Sequence, residues 1–499
     1  MTGTATETPL RTPLACAALA GASIAGARIT YASVISAADG LPEYCKVGAK
    51  IEPALNFEIR LPSDWNQKIV FIGGSGLDGF IPAPSDFNLS PGILMRRYAT
   101  IGTDSGHQAS FGDGSWALNN PDAIADYGYR SRHTVLLAAR EIITALAATP
   151  IRRTYFEGSS SGGREALIEA QRFPEEWDGV IAREPVLALT ALFLSENHIA
   201  QQVFRTPGGF LPAAAVTVLA QAVLTACDGL DNLEDGIVSN VAACRFDPVA
   251  LRCEPGSNND CLTDAQILTV NTVHAPLQLG FALANGLTGY PRWPLGTEAS
   301  SGAWPLWITG PSPNPPASLD FSLSDQVIRY FVTSNPDLDS LAFSPDDYMD
   351  QLSSLSHVLD ATDPDLSAFA AHGGKLILWH GWGDYGANPY STVAYYEQVV
   401  AAAGGQEEAD RFVRFYTSPG VDHLEGGPGA PTFDLLGALD AWIEEGTAPG
   451  DLVAYKFDPQ AGALLPFRPL CRYPKYPRYD GVGDPHEPSS FPCALPTED

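Results

Sequence analysis

The sequence predicts an α/β fold, an open and mostly parallel sheet with helices on both faces, carrying a large inserted lid. Three observations predict it. Strand-like apolar runs alternate with helical periodicity in the first third of the chain and again after residue 370. Between about 186 and 370 that rhythm breaks. Finally, Gly158-Ser-Ser-Ser-Gly162 stands between a strand-like run and a helix-like run, the setting of a sharp strand–turn–helix.

The elements follow in order. Lys68-Ile-Val-Phe-Ile72 is a short strand running into Gly73-Gly-Ser-Gly76, and Tyr98–Thr103 is a second, followed by Asp104-Ser-Gly-His107. Ser131–Ala148 places Val135, Leu136, Ala139, Ile142, Ile143 and Leu146 on one helical face. Arg153–Glu157 is the strand before the serine turn, and Gly163–Arg172, with Ala166, Leu167 and Ala170 at helical spacing, is the helix after it. Gly179–Ala182 is a further strand. The irregular stretch holds four cysteines and the proline-rich Gly310–Pro316. Lys375–His380 and Arg411–Thr417 then read as strands, Ser391–Ala402 and Phe433–Glu445 as helices. Residues 1–185 and 371–499 are expected to form the two parts of an α/β-hydrolase core, and 186–370 a lid above the carboxyl ends of its strands.

Composition narrows the class. The chain has 499 residues, enough for a large core, and an ordinary hydrophobic fraction of 45%. No uninterrupted apolar run is long enough to span a bilayer. A formal charge of −29 argues against nucleic acid or an anionic membrane surface as partner, because both would repel it. Eight cysteines fall into close pairs, Cys227/Cys244, Cys253/Cys261 and Cys471/Cys493, with Cys16/Cys45 near the start. They are expected to form four disulfides in an oxidising compartment, secreted or periplasmic. Zinc is the weaker alternative, since no Cys-x-x-Cys or His-x-x-x-His spacing accompanies them. Leu14–Ala27 has the composition of a signal-peptide core but contains Cys16 and few basic residues, so it is read as part of a mature chain.

The serine turn points to nucleophilic catalysis. A hydroxyl attacks only when a base takes its proton, and the base must be oriented by a carboxylate. In the α/β-hydrolase arrangement the order is Ser, Asp, His, each after a strand. Ser160 is the expected nucleophile, Asp384 after Lys375–His380 the orienter, and His423 after Arg411–Thr417 the base. Asp422 beside it is discounted, and His107 is the rival base but precedes the serine. Backbone N–H groups of Ser161 and Gly76 are the expected oxyanion donors. The Gly73–Gly76 loop lacks the lysine and spacing of a phosphate-binding loop.

Cys227–Val238 offers carboxylates at Asp228, Asp231 and Asp235 and backbone carbonyls at Leu233 and Ile237, an all-oxygen set suited to calcium. It is not an EF-hand, because the twelfth position from Asp231 is Ala242. The alternative is an acidic surface turn.

These residues resemble the tannase and feruloyl esterase family, which includes the hydrolase of mono(hydroxyethyl) terephthalate. The resemblance runs from Leu41-Pro-Glu-Tyr-Cys45 and Leu61–Asn66 through Thr103–His107, Ser115-Trp-Ala117, the serine turn with Glu169–Arg172, the aspartate loop, Ala361–Ser367, His380–Asp384 and His423 with Gly426-Gly-Pro-Gly429. It implies the triad Ser160, Asp384 and His423, a structural calcium on Asp228, Asp231, Leu233, Asp235 and Ile237, no organic cofactor, and a lid in the insertion. Two departures stand out. The family's paired cysteines before the serine and after the histidine are Ser159 and Leu424 here, and its usual Gly-Ala before proline is Arg183-Glu184.

The expected function is that of a secreted serine carboxylic ester hydrolase, acting through an acyl-enzyme on small aromatic-acid esters of feruloyl or galloyl type, or on plant cell-wall esters. A terephthalate half-ester hydrolase is the first alternative and would need a lid cation for the free carboxylate, for which Arg329 is the candidate, although a structural arginine is the other reading. A calcium-dependent binding protein on a hydrolase scaffold is the second. Trp307 and Phe321 are the candidate aromatic contacts to substrate.

Overall fold

The fold is described by a computed structural model over residues 15–85, 89–256, 260–314, 316–423 and 426–496. One ten-stranded mixed sheet organises it. Its first four strands, Ser23–Ile24, Ala27–Ile35, Tyr44–Ile51 and Leu55–Pro62, form an antiparallel meander at one edge. Leu55–Pro62 pairs antiparallel with Ala99–Thr103. From there the sheet is parallel, in the order Ala99–Thr103, Lys68–Ile72, Arg153–Ser159, Gly179–Arg183, Lys375–Gly381, Val413–Ser418.

The parallel strands are buried along nearly their full length, as strands covered on both faces must be. Alternation along each strand divides their side chains between two cores. Ile69, Phe71, Phe156, Val180, Leu376 and Leu378 pack with Val135, Leu136, Ala139 and Ile142 of the helix Ser131–Leu146 and with Leu167 of the helix Ser161–Arg172. Val70, Ile72, Tyr155, Ile181, Ile377 and Trp379 face the other way, against Leu435, Leu436, Leu439 and Trp442 of the helix Leu435–Glu445.

The stretch that resembles a signal-peptide core is structured from Ala15 onward. It makes a short turn over Cys16–Leu19 and then the first two strands, with Leu19 buried and Cys16 bridged to Cys45. The other bridges are Cys227–Cys244, Cys253–Cys261 and Cys471–Cys493, so all eight cysteines are paired in the expected way.

Between the strands Gly179–Arg183 and Lys375–Gly381 lies the insertion, mostly helical. Its longer helices are Leu189–Phe204, Ala213–Cys227, Asp264–Val273, Leu319–Gln326 and Met349–Leu359. The helical stretch Ala213–Asp231 is long and apolar enough, by length and composition alone, to cross a membrane. Its α-helical part, Ala213–Cys227, buries Ala215, Val216, Leu219, Ala220 and Val223 on one face and ends at the bridged Cys227, and a 3-10 turn over Asp228–Asp231 completes the stretch.

The helix Ser161–Arg172 also carries Glu169, fully buried, whose Oε2 accepts a hydrogen bond from Trp177 Nε1 at 3.1 Å. Burial pushes its carboxyl up to about 8, against the opposing pull of Arg132 and Trp177. An unfolded glutamate titrates near ~4.3, so the folded chain holds this proton more tightly. Its stabilising contribution is complete below that pH and is lost as pH rises through about 8. Thermal unfolding from pH 5 to pH 9 is expected to show a steeper fall in Tm for the wild type than for Glu169→Gln, which keeps an acceptor for Trp177 without the titration. Equal slopes would refute the assignment.

Candidate active site

The serine turn is a backbone contact before it is a chemical one. Ser160 joins the strand Arg153–Ser159 to the helix Ser161–Arg172 with φ 60° and ψ −122°, a region that costs a residue with a Cβ about 1–3 kcal/mol. It is held there by Ser160 N–H donating to Arg183 O at 3.1 Å and Val186 N–H donating to Ser160 O at 3.2 Å. The flanking glycines are required by space. A Cβ on Gly158 would lie 2.3 Å from Gly162 O, and one on Gly162 would lie 2.6 Å from Gly74 O.

The three residues expected from their order meet. His423 Nε2 lies 2.9 Å from Ser160 Oγ, and His423 Nδ1 lies 2.8 Å from Asp384 Oδ2. Asp384 is fully buried, and its other oxygen accepts from the N–H groups of Gly386 and Ala387, each at 2.8 Å. Burial works to raise its carboxyl, but the imidazoles of His423 and His380 prevail and hold it below the ordinary aspartate value. His380 was not expected at the site. Its Nε2 lies 3.2 Å from Asp384 Oδ2 and 3.0 Å from Ala387 O, while Nδ1 meets Thr392 Oγ1 at 2.8 Å. The four-residue spacing in His380-Gly-Trp-Gly-Asp384 was the available signal.

The glycine loop after Lys68–Ile72 is drawn to the same point. Ser161 Oγ donates to Gly76 O at 2.6 Å and Tyr127 OH donates to it at 2.9 Å. Ser161 therefore ties the serine turn to the glycine loop through its side chain, a contact the sequence reading did not assign. Its N–H opens the helix, where amides have no intrahelical acceptor. Behind the loop, Gly74 N–H donates to Glu165 Oε2 at 2.9 Å, and Arg132 pairs with Glu165 at 2.9 Å.

The remaining expectations separate. His107 stacks on Trp116 with ring centroids 3.7 Å apart, and its Nε2 meets Leu77 O at 2.9 Å. Asp422 accepts from Ser300 Oγ at 3.0 Å and from Gly426 N–H at 2.6 Å. Trp307, from the insertion, sets its ring edge-to-face on His423 at 5.1 Å. Phe321 packs against Phe204 at 5.9 Å. Arg329 pairs with Asp325 at 3.0 Å, lies over the Tyr330 ring and donates to Pro336 O. Leu424 lies outside the described residues. Arg183 is buried in an ion pair with Glu157 at 2.9 Å and donates to Ser90 Oγ at 3.2 Å. Glu184 is fully buried, accepts from Ser159 Oγ at 3.3 Å and comes within 3.9 Å of His423 Nδ1.

In the aspartate loop, Asp228 accepts from the N–H groups of Gly236 and Ile237 at 2.9 and 3.1 Å, and Asp231 from Leu233 N–H at 3.1 Å. Asp235 pairs with Arg468 at 2.5 Å. Asp231 is buried, and burial, reinforced by Asp235 and Asp228, pushes its carboxyl up to about 6. Of these carboxylates Asp235 is paired with a guanidinium, while Asp228 and Asp231 accept backbone N–H groups; the donors are all oxygen, the kind a hard cation takes. Among the described residues only Glu184, Asp384 and His423 bring three metal-capable side chains within 4.8 Å of one another, so the loop carboxylates do not converge on one point.

Comparison with known proteins decides the family. Residues 38–494 match the family described as tannase and feruloyl esterase. The chain belongs to this family. It is 35% identical to an uncharacterized esterase of Agrobacterium fabrum over 96% of this chain and 93% of that one. It is 32% identical to the mono(2-hydroxyethyl) terephthalate hydrolase of Piscinibacter sakaiensis, over 93% and 87% respectively. The crystal structure of feruloyl esterase B from Aspergillus oryzae superposes with a TM-score of 0.83 at 25% identity, covering 96% of this chain and 99% of that one. The protein is accordingly a carboxylic ester hydrolase of the tannase and feruloyl esterase family, with an α/β-hydrolase-type fold.

Proposed function

We propose that this protein hydrolyses esters of aromatic acids, of hydroxycinnamoyl or galloyl type, through an acyl-enzyme on Ser160. The observation that carries the reading is the unbroken chain from Asp384 Oδ2 through His423 to Ser160 Oγ, at 2.8 and 2.9 Å. In this mechanism Ser160 Oγ attacks the ester carbonyl as its proton passes to His423 Nε2. Asp384 keeps the Nδ1–H tautomer and balances the imidazolium. The N–H groups of Ser161 and Gly76 receive the developing oxyanion. His423 then gives the proton to the leaving alcohol, and water, activated by the same base, releases the acid.

The insertion favours a flat acid, because it places Trp307 against the base and aromatic faces supply contact area at low entropic cost. A terephthalate half-ester presents a free carboxylate, and Arg329, the cation expected for it, is taken up by Asp325; esters without that charge are preferred. Four disulfides support an oxidising extracellular or periplasmic setting.

Ser160→Ala is expected to lower kcat by roughly 10⁴-fold or more with the fold intact; retention of most activity would refute the nucleophile. On the wild type, kcat/KM for methyl ferulate and methyl gallate should exceed that for a short aliphatic methyl ester. Parity or reversal would reduce the reading to a general esterase.

Calcium is proposed as a structural ligand held by Asp228, Asp231 and Asp235 with the carbonyls of Leu233 and Ile237, where it would neutralise the loop. Chelation should lower Tm, and added calcium should restore it by mass action. Absence of stoichiometric calcium in the purified protein, together with no thermal shift, would exclude it.

A further inference from the structure

His423 faces two carboxylates. The first is Asp384, at 2.8 Å from Nδ1. The second is Glu184, whose Oε2 lies 3.9 Å from the same nitrogen and whose side chain is fully buried. Glu184 follows the strand Gly179–Arg183, neighbour to both the serine strand and the Asp384 strand. It is held with φ 44°, a conformation disfavoured for a residue with a Cβ and further restricted before Pro185. Its N–H donates to Trp379 O at 2.8 Å, which locks that backbone to the Asp384 strand. Ser159 Oγ, next to the nucleophile, donates to Glu184 Oε2 at 3.3 Å. A buried acid held in a disfavoured backbone conformation beneath the base is a placement that general packing does not require.

We propose that Glu184 is a second positioning residue for His423: an ionised carboxylate that, with Asp384, stabilises the imidazolium, and that links the base to the nucleophile strand through Ser159. The proposal rests on the acyl-enzyme reading above. The proton leaves Ser160 Oγ for His423 Nε2 as the Oγ–carbonyl bond forms, and Nδ1–H stays on the ring. Glu184 takes no proton; its charge lowers the energy of the state in which His423 carries two. It acts on the imidazole alone and does not touch substrate.

Among the described residues, the other groups on this part of the site are the following. Asp384 carries His380 on its Oδ2 at 3.2 Å. Asp422, on His423's own loop, is turned to Ser300 and Gly426. From the insertion comes the uncharged Trp307 ring on His423; Asp320, also from the insertion, has its carboxyl raised by burial and by the charge of Asp384. Glu184 is thus, among the described residues, the group besides Asp384 whose carboxylate approaches Nδ1 itself.

An opposite charge this close typically moves a titration by about one unit or more. The decisive measurement is the pH profile of kcat/KM in Glu184→Gln, which keeps the shape and removes the charge. The acid limb, set by protonation of His423, should move down by about one unit, with kcat reduced roughly ten- to a hundredfold and KM little changed. An acid limb that stays in place while activity or Tm falls would show a purely structural side chain, or one already neutral, and would overturn the proposal. NMR titration of the His423 imidazole in the Ser160→Ala protein, with and without Glu184→Gln, reads the same shift without turnover. Should Glu184→Gln not fold, Glu184→Asp, which keeps the charge but draws it back by one methylene, should move the limb in the same direction by less; an unmoved limb there also overturns it. A wild-type acid limb that survives His423→Gln would instead sink the acyl-enzyme reading itself, so the two failures are distinct.

Discussion

The structure depends on a close approach of backbones at the serine turn. A Cβ on Gly73 would lie 2.7 Å from Gly162 Cα, one on Gly158 2.3 Å from Gly162 O, and one on Gly163 2.4 Å from Arg183 O. Three neighbouring strand ends and the first turn of a helix therefore touch main chain to main chain. Side-chain repacking cannot relieve such contacts, so each glycine is required where it stands. Within these contacts Ser160 sits at positive φ, with its hydroxyl 2.9 Å from His423 Nε2. The strain at Ser160 persists because the surrounding backbone over-determines it.

Around that point the insertion is bonded to the site and does more than cover it. Thr297 Oγ1 donates to Gly383 O at 3.2 Å, Tyr385 OH to Pro294 O at 2.7 Å, and Ser300 Oγ to Asp422 at 3.0 Å. Gly386 is so close to Trp307 that a Cβ there would lie 2.4 Å from its ring. The loops carrying Asp384 and His423 are thereby held from above by the insertion and from below by the parallel strands. A buried polar group is costly unless paired: Asp384 accepts two backbone N–H groups, and Arg183 is matched by Glu157.

The local pattern of residues determined the strand–turn–helix at Ser160, the parallel half of the sheet, the pairing of eight cysteines by proximity, and the order Ser160, Asp384, His423 that the structure brings within hydrogen-bonding distance. These were legible because each rests on short-range chemistry: alternation of apolar residues, glycines at a tight turn, a polar residue just after a strand. Tertiary structure alone decided the rest. The antiparallel edge built by Ser23–Pro62 depends on pairing partners, and so does the pairing of Arg329 with Asp325 and Pro336 O inside the insertion. His380 joins Asp384, Ser161 Oγ ties the serine turn to Gly76, and Glu184 reaches His423 from a different strand. Which side chains share a buried site depends on the order of strands in the sheet and on where their ends converge, and those long-range contacts leave no periodicity in the chain for a sequence to display.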